Sequence, residues 1–105
     1  MLQQFDPRNK DILVYVNGAL LHRDQAKVSV FDSVVQGADA VWEGNRVYEG
    51  KIFALGDHLD RLHDSAKAMD FKAVPTKDEI KNALFQTLEA NHMNNDSHVR
   101  LTLTR

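Results

Sequence analysis

The fold of this chain is decided by its central stretch, Gln36–Lys67, which reads QGADAVWEGNRVYEGKIFALGDHLDRLHDSAK. Within it, Ala40–Tyr48 is rich in the aromatic and β-branched residues that favour strands. The dipeptide Glu49-Gly50 then predicts a tight turn, because glycine tolerates a positive φ, and Lys51–Leu55 is predicted to return as the partner strand. The centre of the sequence therefore predicts a β-hairpin that leads into a helix.

Two helices are predicted after this hairpin. In the first, Asp57 is suited to act as the N-cap, and the apolar residues recur three or four positions apart. They predict one buried stripe, formed by Leu59, Leu62, Ala66 and Met69. The second helix is predicted to begin with a capping box at residues 76–79, TKDE, because Thr and Glu stand three positions apart. Its buried stripe is predicted to consist of Ile80, Leu84 and Leu88.

Further strands are predicted on both sides of the central stretch. Asn17-Gly18 favours a type I′ turn between strands at Ile12–Val16 and Ala19–His22. Alternation predicts another strand at Lys27–Phe31, and a helical turn is expected at Val34–Gly37. A closing strand is predicted from the alternating residues Val99, Leu101 and Leu103. The sequence thus predicts an α+β fold, an antiparallel sheet with two helices, in a single domain that spans residues 1–105.

Composition excludes several classes of function. The 105 residues are 43% apolar and 27% charged, with a net charge of −2, which is typical of a soluble globular domain and gives no reason to expect nucleic acid or membrane as a partner. No cysteine is present, so disulfides and thiolate chemistry are excluded, and we expect a cytoplasmic protein. His58 and His63 are five positions apart and do not share a helix face, so no metal site is predicted.

Two motifs carry a resemblance to a known family. Trp42-Glu43-Gly44 and the helical run His58-Leu59-Asp60-Arg61-Leu62 resemble the N-terminal small domain of class IV (fold-type IV) aminotransferases, which use pyridoxal 5′-phosphate (PLP). That family includes branched-chain amino acid aminotransferases, D-amino acid aminotransferases and aminodeoxychorismate lyase. The resemblance covers roughly residues 12–105. It implies a full-length parent that moves an amino group between an amino acid and a 2-oxo acid and forms a homo-oligomer, expected to be a dimer.

The same resemblance implies that this chain lacks the catalytic lysine. In the family, the Schiff-base lysine lies in a large domain that would follow Arg105, and none of the lysines of this chain matches its motif. We therefore expect the chain alone to be catalytically inert and not to bind PLP stably.

Arg61 is the candidate cofactor ligand. The resemblance implies that it contacts the phosphate of PLP, and a guanidinium suits this role because its planar fork of donors matches phosphate oxygens. The alternative is an exposed helical arginine paired with Asp57 or Asp64, four positions before or three after it.

Candidate substrate-pocket residues follow from the same resemblance. Trp42 and Gly44 are expected to line the pocket, although Trp42 could instead belong to the core and Glu43 could pair with Arg46. Arg46 and Arg100 are expected to meet a substrate carboxylate or, alternatively, to be solvated charges on a sheet face.

Gln36 marks a departure from part of the family. It stands where branched-chain enzymes commonly carry an active-site tyrosine. This departure argues against branched-chain specificity. Val34–Gly37 together with Trp42-Glu43-Gly44 resembles the plant and bacterial aminotransferase-like branch instead.

Two other functions remain open from the sequence. One is a stand-alone association or dimerisation module without enzymatic activity, in which case an uncovered apolar surface would drive self-association. The other is the corresponding domain of a PLP lyase of the same family.

Overall fold

A computed structural model describes residues 4–105, and it confirms the predicted α+β class. A short 3-10 helix, Pro7–Asn9, comes first in the described chain. The regular elements then follow in the order β1 Leu13–Val16, β2 Ala19–His22, α1 Ser33–Gly37, β3 Ala40–Tyr48, β4 Lys51–Ile52, α2 Leu55–Ala68, α3 Lys77–Ala90 and β5 Ser97–Thr104. The antiparallel strands form two sheets, β1–β2 and β4–β3–β5.

Both predicted hairpin turns are present. Asn17 and Gly18 have φ angles of 48° and 94°, and Glu49 and Gly50 have φ angles of 50° and 77°. Positive φ at both central residues defines a type I′ turn, whose twist matches that of the flanking strands. The Gly50 amide also donates to the Asn94 carbonyl at 2.6 Å. This bond ties the second turn to the loop before β5.

The three-stranded sheet is built around β3. Its long antiparallel partner is β5, in a register that runs from Ala40 opposite Thr104 to Val47 opposite Ser97. Helix α2 packs against one face of β3. The core between helices and sheet consists of Val41, Val47, Ile52, Leu59, Leu62, Ala66, Ile80, Leu84 and Leu88. Of the apolar stripe positions predicted for the two helices, only Met69 is not buried.

Helix α3 connects the two sheets. Its predicted capping box is confirmed, because the Thr76 hydroxyl accepts from the Glu79 amide and the Glu79 carboxylate accepts from the Thr76 amide. At the other end, the Asn91 side chain accepts from the Leu13 amide at 2.7 Å and donates to the Leu13 carbonyl at 2.9 Å. These two bonds hold β1 against the end of α3. No helix within residues 4–105 combines the length and the apolar character needed to cross a membrane.

The predicted strand at Lys27–Phe31 is wrong. This segment pairs with neither sheet, and Val28, Val30 and Phe31 are all more than half exposed. Alternation favours a strand only where a neighbouring strand is available to satisfy the backbone groups. Here the chain instead turns into α1, whose N-cap Asp32 accepts from the Val34 amide.

Three boundary predictions near α2 also need correction. The return strand is Lys51–Ile52 rather than Lys51–Leu55, because Ala54 adopts a left-handed conformation that turns the chain directly into the helix. Ala54 is therefore the N-cap, and Asp57 lies within the first turn, where its charge still favours the positive end of the helix dipole. Met69 follows the last helical residue and is 38% exposed.

Candidate functional site

Alternate residues of β3 form two chemically different faces of the sheet. One is the covered face, which lies under α2 and has buried side chains, and the other is the open face, whose side chains are partly or fully exposed. A β-strand places successive side chains on opposite faces. The covered face carries Val41, Glu43, Asn45 and Val47, all of them buried. The open face carries Trp42, Gly44, Arg46 and Tyr48.

A buried carboxylate lies at the centre of the covered face. The Glu43 side chain is only 5% exposed, and its two oxygens accept from Arg61 Nε at 2.7 Å and Arg61 Nη2 at 2.6 Å. The Oε2 atom also lies 2.7 Å from Nδ1 of His58. These contacts offset the cost of removing a charge from water. The pKa of Glu43 falls to about 2, chiefly because of its hydrogen bonds to Arg61, with His58 adding to the effect against the opposing influence of burial.

The contacts determine the position of one proton on His58. An ionised carboxylate only accepts hydrogen bonds, so Nδ1 of His58 must carry the hydrogen that faces Glu43. Arg61 Nη2 also lies 3.3 Å from the same Nδ1 atom. Both nitrogens are donors in this arrangement, so this contact is not a hydrogen bond. Glu43 is thus the common acceptor for both helical side chains.

The remaining part of Arg61 faces outward. Its side chain is 67% exposed, and Nη1 forms no hydrogen bond with residues 4–105. Glu43 also raises the pKa of Arg61 further above its ordinary value. The alternative pairings of Arg61 with Asp57 or Asp64 are wrong, as is that of Glu43 with Arg46, because strand alternation puts those two on opposite faces.

The open face carries two arginine–aromatic stacks. The Arg100 guanidinium lies 4.3 Å from the centre of the Trp42 ring, and that of Arg46 lies 5.4 Å from the centre of the Tyr48 ring. Arg46 also donates to Asp96 at 3.0 Å and to the Tyr48 hydroxyl at 3.3 Å. Trp42 is 56% exposed, so the alternative that it belongs to the core is wrong. The open face therefore presents cations beside aromatic rings to solvent.

Gly44 makes room for a side chain that the sequence did not single out. A Cβ atom at position 44 would lie 2.9 Å from Nε2 of His98, a residue of β5. His98 is exposed and pairs in register with Arg46. The glycine thus lets the imidazole lie close to the strand, as expected of a strand glycine. Of the residues predicted for the substrate pocket, Trp42, Gly44, Arg46 and Arg100 share this face with His98.

Gln36 differs from the others because it is not on β3 or β5. It lies in α1, is exposed, and donates through Nε2 to the Val30 carbonyl at 2.7 Å. This bond holds the irregular segment before α1.

The described residues offer little to covalent or metal chemistry. All seven lysines of the sequence lie within residues 4–105, and all are exposed. A nucleophilic lysine is commonly activated by desolvation, which these positions do not provide. In the same range, no group of three or more His, Asp or Glu side chains is placed to hold a metal ion.

Sequence reasoning missed the link between Glu43 and His58. A signal was available, because Glu43 shares its strand face with valines and a charge at such a position requires a partner. His58 and Arg61 are three positions apart on the next helix, a spacing that puts them on one side of it.

Comparisons with known proteins agree with this architecture. Among curated proteins, the chain is 58% identical over 99 residues to branched-chain-amino-acid aminotransferase-like protein 2 of Arabidopsis thaliana, covering 94% of this chain and 18% of the relative. It is 41% identical over 92 residues to a putative branched-chain-amino-acid aminotransferase of Methanocaldococcus jannaschii, covering 88% of this chain and 32% of that protein. The chain thus spans less than a third of the length of these relatives.

Solved structures give the same result. The fold is similar to the branched-chain amino acid aminotransferase of Escherichia coli, with a TM-score of 0.82 and 27% identity over 90% of this chain and 33% of that one. It is also similar to the branched-chain aminotransferase of Thermoproteus uzoniensis solved with norvaline, with a TM-score of 0.79 and 30% identity over the same shares. The sequence model described as amino-transferase class IV matches residues 40–105, which include both faces of β3, helix α2 and the closing strand. The chain therefore belongs to the class IV amino-transferase family.

Proposed function

We propose that this chain is the small domain of a PLP-dependent aminotransferase, whose full-length form transfers an amino group between an amino acid and a 2-oxo acid. Family membership supports this proposal, as does a similar branched-chain amino acid aminotransferase that was solved in complex with N-(5′-phosphopyridoxyl)-L-glutamate. PLP, when bound, supplies the electron sink that stabilises the carbanion formed when the amino acid loses its α-proton. The proposed protein is a cytoplasmic homodimer.

The exposed edge of Arg61 carries the proposal. Glu43 occupies Nε and one donor of Nη2, which leaves Nη1 directed away from the buried carboxylate. Phosphate oxygens suit the free N–H donors of Nη1, because a guanidinium is planar and remains charged at any relevant pH. The donor chemistry of Arg61 therefore suits the phosphate of PLP.

The open face is the proposed border of the substrate site. Arg46 and Arg100 are suited to bind a carboxylate, and stacking on Tyr48 and Trp42 restricts the directions in which the two guanidinium groups point. Gly44 lets the His98 imidazole lie close to the strand at this border. Gln36, which lacks the phenol of the tyrosine found in branched-chain enzymes, is proposed to shift substrate preference away from branched-chain amino acids.

Arg61→Ala in the full-length protein tests the cofactor role. A charge-assisted bidentate contact contributes about 1.5–3 kcal/mol, so affinity for PLP should fall by about ten- to a hundredfold, and Arg61→Lys should restore only part of it. Arg8→Ala is the matched control, since Arg8 is also an exposed arginine paired with a carboxylate, that of Asp6. Equilibrium dialysis of PLP and thermal melting would be measured for each variant. Unchanged PLP affinity in both Arg61 variants would show that Arg61 does not bind the phosphate.

The chain on its own provides a second test. Because its lysines are exposed and none matches the family motif, PLP followed by borohydride reduction should label them without preference. Intact-mass analysis and peptide mapping would measure the labelling. A single stoichiometric adduct on one lysine would contradict the expectation that the chain alone is inert.

A stand-alone association module is the second candidate function. The exposure of Trp42 and Tyr48 on the open face favours it, since burying a few hundred Å² of apolar surface is worth several kcal/mol at about 25 cal/mol per Å². Sedimentation velocity across a dilution series should then show a dimer that Trp42→Ser weakens. A monomer at every concentration would exclude this function for the chain alone.

A further inference from the structure

We infer that Glu43 is a positioning residue, which holds Arg61 so that its Nη1 edge faces the phosphate of the cofactor. The inference rests on the proposed phosphate role of Arg61. Glu43 has no direct part in binding, because its carboxylate is buried on the covered face and its charge would repel an anion.

The first step is that contacts other than those with Arg61 hold Glu43 in place. Its backbone lies in the centre of β3, paired with Leu101 of β5, and its side chain is enclosed between the sheet and α2. The Nδ1–H group of His58 donates to Oε2 at 2.7 Å, and the His58 side chain is itself only 17% exposed. The carboxylate is therefore held from the strand side and from the helix side.

The second step is that two parallel hydrogen bonds determine the plane of the guanidinium. Arg61 Nε donates to Oε1 at 2.7 Å and Nη2 donates to Oε2 at 2.6 Å. An exposed arginine otherwise samples many rotamers, and ordering it on ligand binding would oppose affinity. When both bonds are formed, the direction in which Nη1 points is determined before a ligand binds.

The Glu43 carboxylate has two opposing effects on phosphate binding, one through the orientation of Arg61 and one through its own charge. The carboxylate draws charge away from Arg61 and repels a phosphate, but the guanidinium lies between the two anions, and Arg61 is exposed enough for water to screen them. Loss of orientation, by contrast, acts directly on the hydrogen bonds that Nη1 would donate to the phosphate. Orientation is therefore the larger effect, and removing the charge of Glu43 should weaken phosphate binding.

The test uses the cofactor-free form of the full-length protein. Two probes that lack the reactive aldehyde are added to it, pyridoxine 5′-phosphate and pyridoxine. Calorimetry should show that Glu43→Gln lowers the affinity for pyridoxine 5′-phosphate about five- to tenfold. The affinity for pyridoxine should not change. In the Arg61→Ala background, the same substitution should have less than about a twofold effect, because the partner through which it acts is absent.

A spectroscopic measurement separates orientation from folding. In the wild-type protein, the Arg61 Nε–H proton should exchange slowly with water and give a distinct NMR signal, which Glu43→Gln should weaken. Asp39→Asn is the matched control, because Asp39 also pairs with an arginine that is distant in sequence, Arg105, and has no hydrogen bond or ion pair with Arg61. The control should leave the affinities for both probes and the NMR signal of Arg61 unchanged.

Each outcome has one meaning. If Arg61→Ala leaves the affinity for pyridoxine 5′-phosphate unchanged, the phosphate role itself is wrong. If Arg61→Ala weakens binding but Glu43→Gln binds equally or more tightly, only the positioning role is wrong. A Glu43→Gln loss that persists undiminished in the Arg61→Ala background would likewise overturn it.

A second variant keeps the inference testable if Glu43→Gln does not fold. His58→Leu removes the bond that fixes the carboxylate while preserving the pair of Glu43 and Arg61. We expect it to lower affinity for the phosphorylated probe about two- to threefold, without effect on pyridoxine. Equal affinity for that probe in His58→Leu and wild type would overturn the inference that a fixed Glu43 carboxylate positions Arg61.

Discussion

The covered and open faces of β3 are made from alternate residues of one strand, but their side chains have different kinds of partner. On the covered face, valines pack under α2, and the one carboxylate has three hydrogen bonds to helical side chains. On the open face, arginines stack on exposed aromatic rings and bond to exposed groups. Burial requires partners within the protein, whereas exposure leaves side chains free for a ligand or a second protein surface. The covered face therefore contributes mainly to stability, and the exposure of the open face supports the proposal that it borders the substrate site.

The largest expected effect compares a core leucine with the open-face tryptophan. Leu62 is fully buried beneath the sheet, so Leu62→Ala should lower the free energy of unfolding by about 2–5 kcal/mol. Trp42→Ala should cost less than about 1 kcal/mol, because more than half of the ring is already exposed. Urea denaturation of both variants would measure the difference. Equal losses would mean that the open face also stabilises the fold.

Asn45 tests whether every position on the covered face requires an apolar residue. Its side chain is fully buried, and neither its Oδ1 nor its Nδ2 has a hydrogen-bond partner among residues 4–105. An unsatisfied buried polar group costs about 1–3 kcal/mol, so Asn45→Val should raise the free energy of unfolding by about 1–2 kcal/mol. The same urea experiment measures it, with Val47→Asn as the reciprocal variant. A less stable Asn45→Val protein would indicate that an internal water satisfies the amide.

The pH dependence of stability tests the charge on the covered face. The pKa of Glu43 lies at about 2 in the folded chain, below its ordinary value of 4.5, so its stabilisation is complete above about pH 4.5 and is lost as the pH falls towards 2. Because the partner guanidinium is mostly exposed and screened, the loss should be about 1–2 kcal/mol. Unfolding free energies at about pH 5 and about pH 2.5 would be compared between wild type and Glu43→Gln. If the unfolding free energies of wild type and Glu43→Gln changed equally with pH, the lowered pKa of Glu43 would be contradicted.

The smallest expected effect concerns the space above Gly44. A methyl group there would meet the end of the His98 ring, which can swing into solvent, so Gly44→Ala should cost less than about 1 kcal/mol. The double variant Gly44→Ala with His98→Ala should recover that cost. Chemical shifts of the His98 ring would show its displacement. A loss that His98→Ala does not relieve would mean that the glycine is needed for the backbone itself.

Local patterns correctly predicted the elements that depend on neighbouring residues. The two hairpin turns, the capping box of α3 and most of the apolar stripes of α2 and α3 follow from positions within a few residues of one another. The motifs around Trp42 and Arg61 were likewise sufficient to indicate the family. Periodicity failed at Lys27–Phe31 because a strand pattern does not specify a pairing partner, and it failed at Asp57 because the conformation of Ala54 moved the start of the helix.

The sequence by itself determined the class of fold, the hairpin turns and the residues that resemble a cofactor and substrate site. Tertiary structure alone decided which of those residues meet. Glu43 lies 15 positions from His58 and 18 from Arg61 along the chain, and their contact depends on how α2 packs across the sheet. The same is true of Arg100 and Trp42, which β5 brings together by its register with β3. Period and propensity act within one element, whereas these contacts require two elements to be held in one relative position by the core.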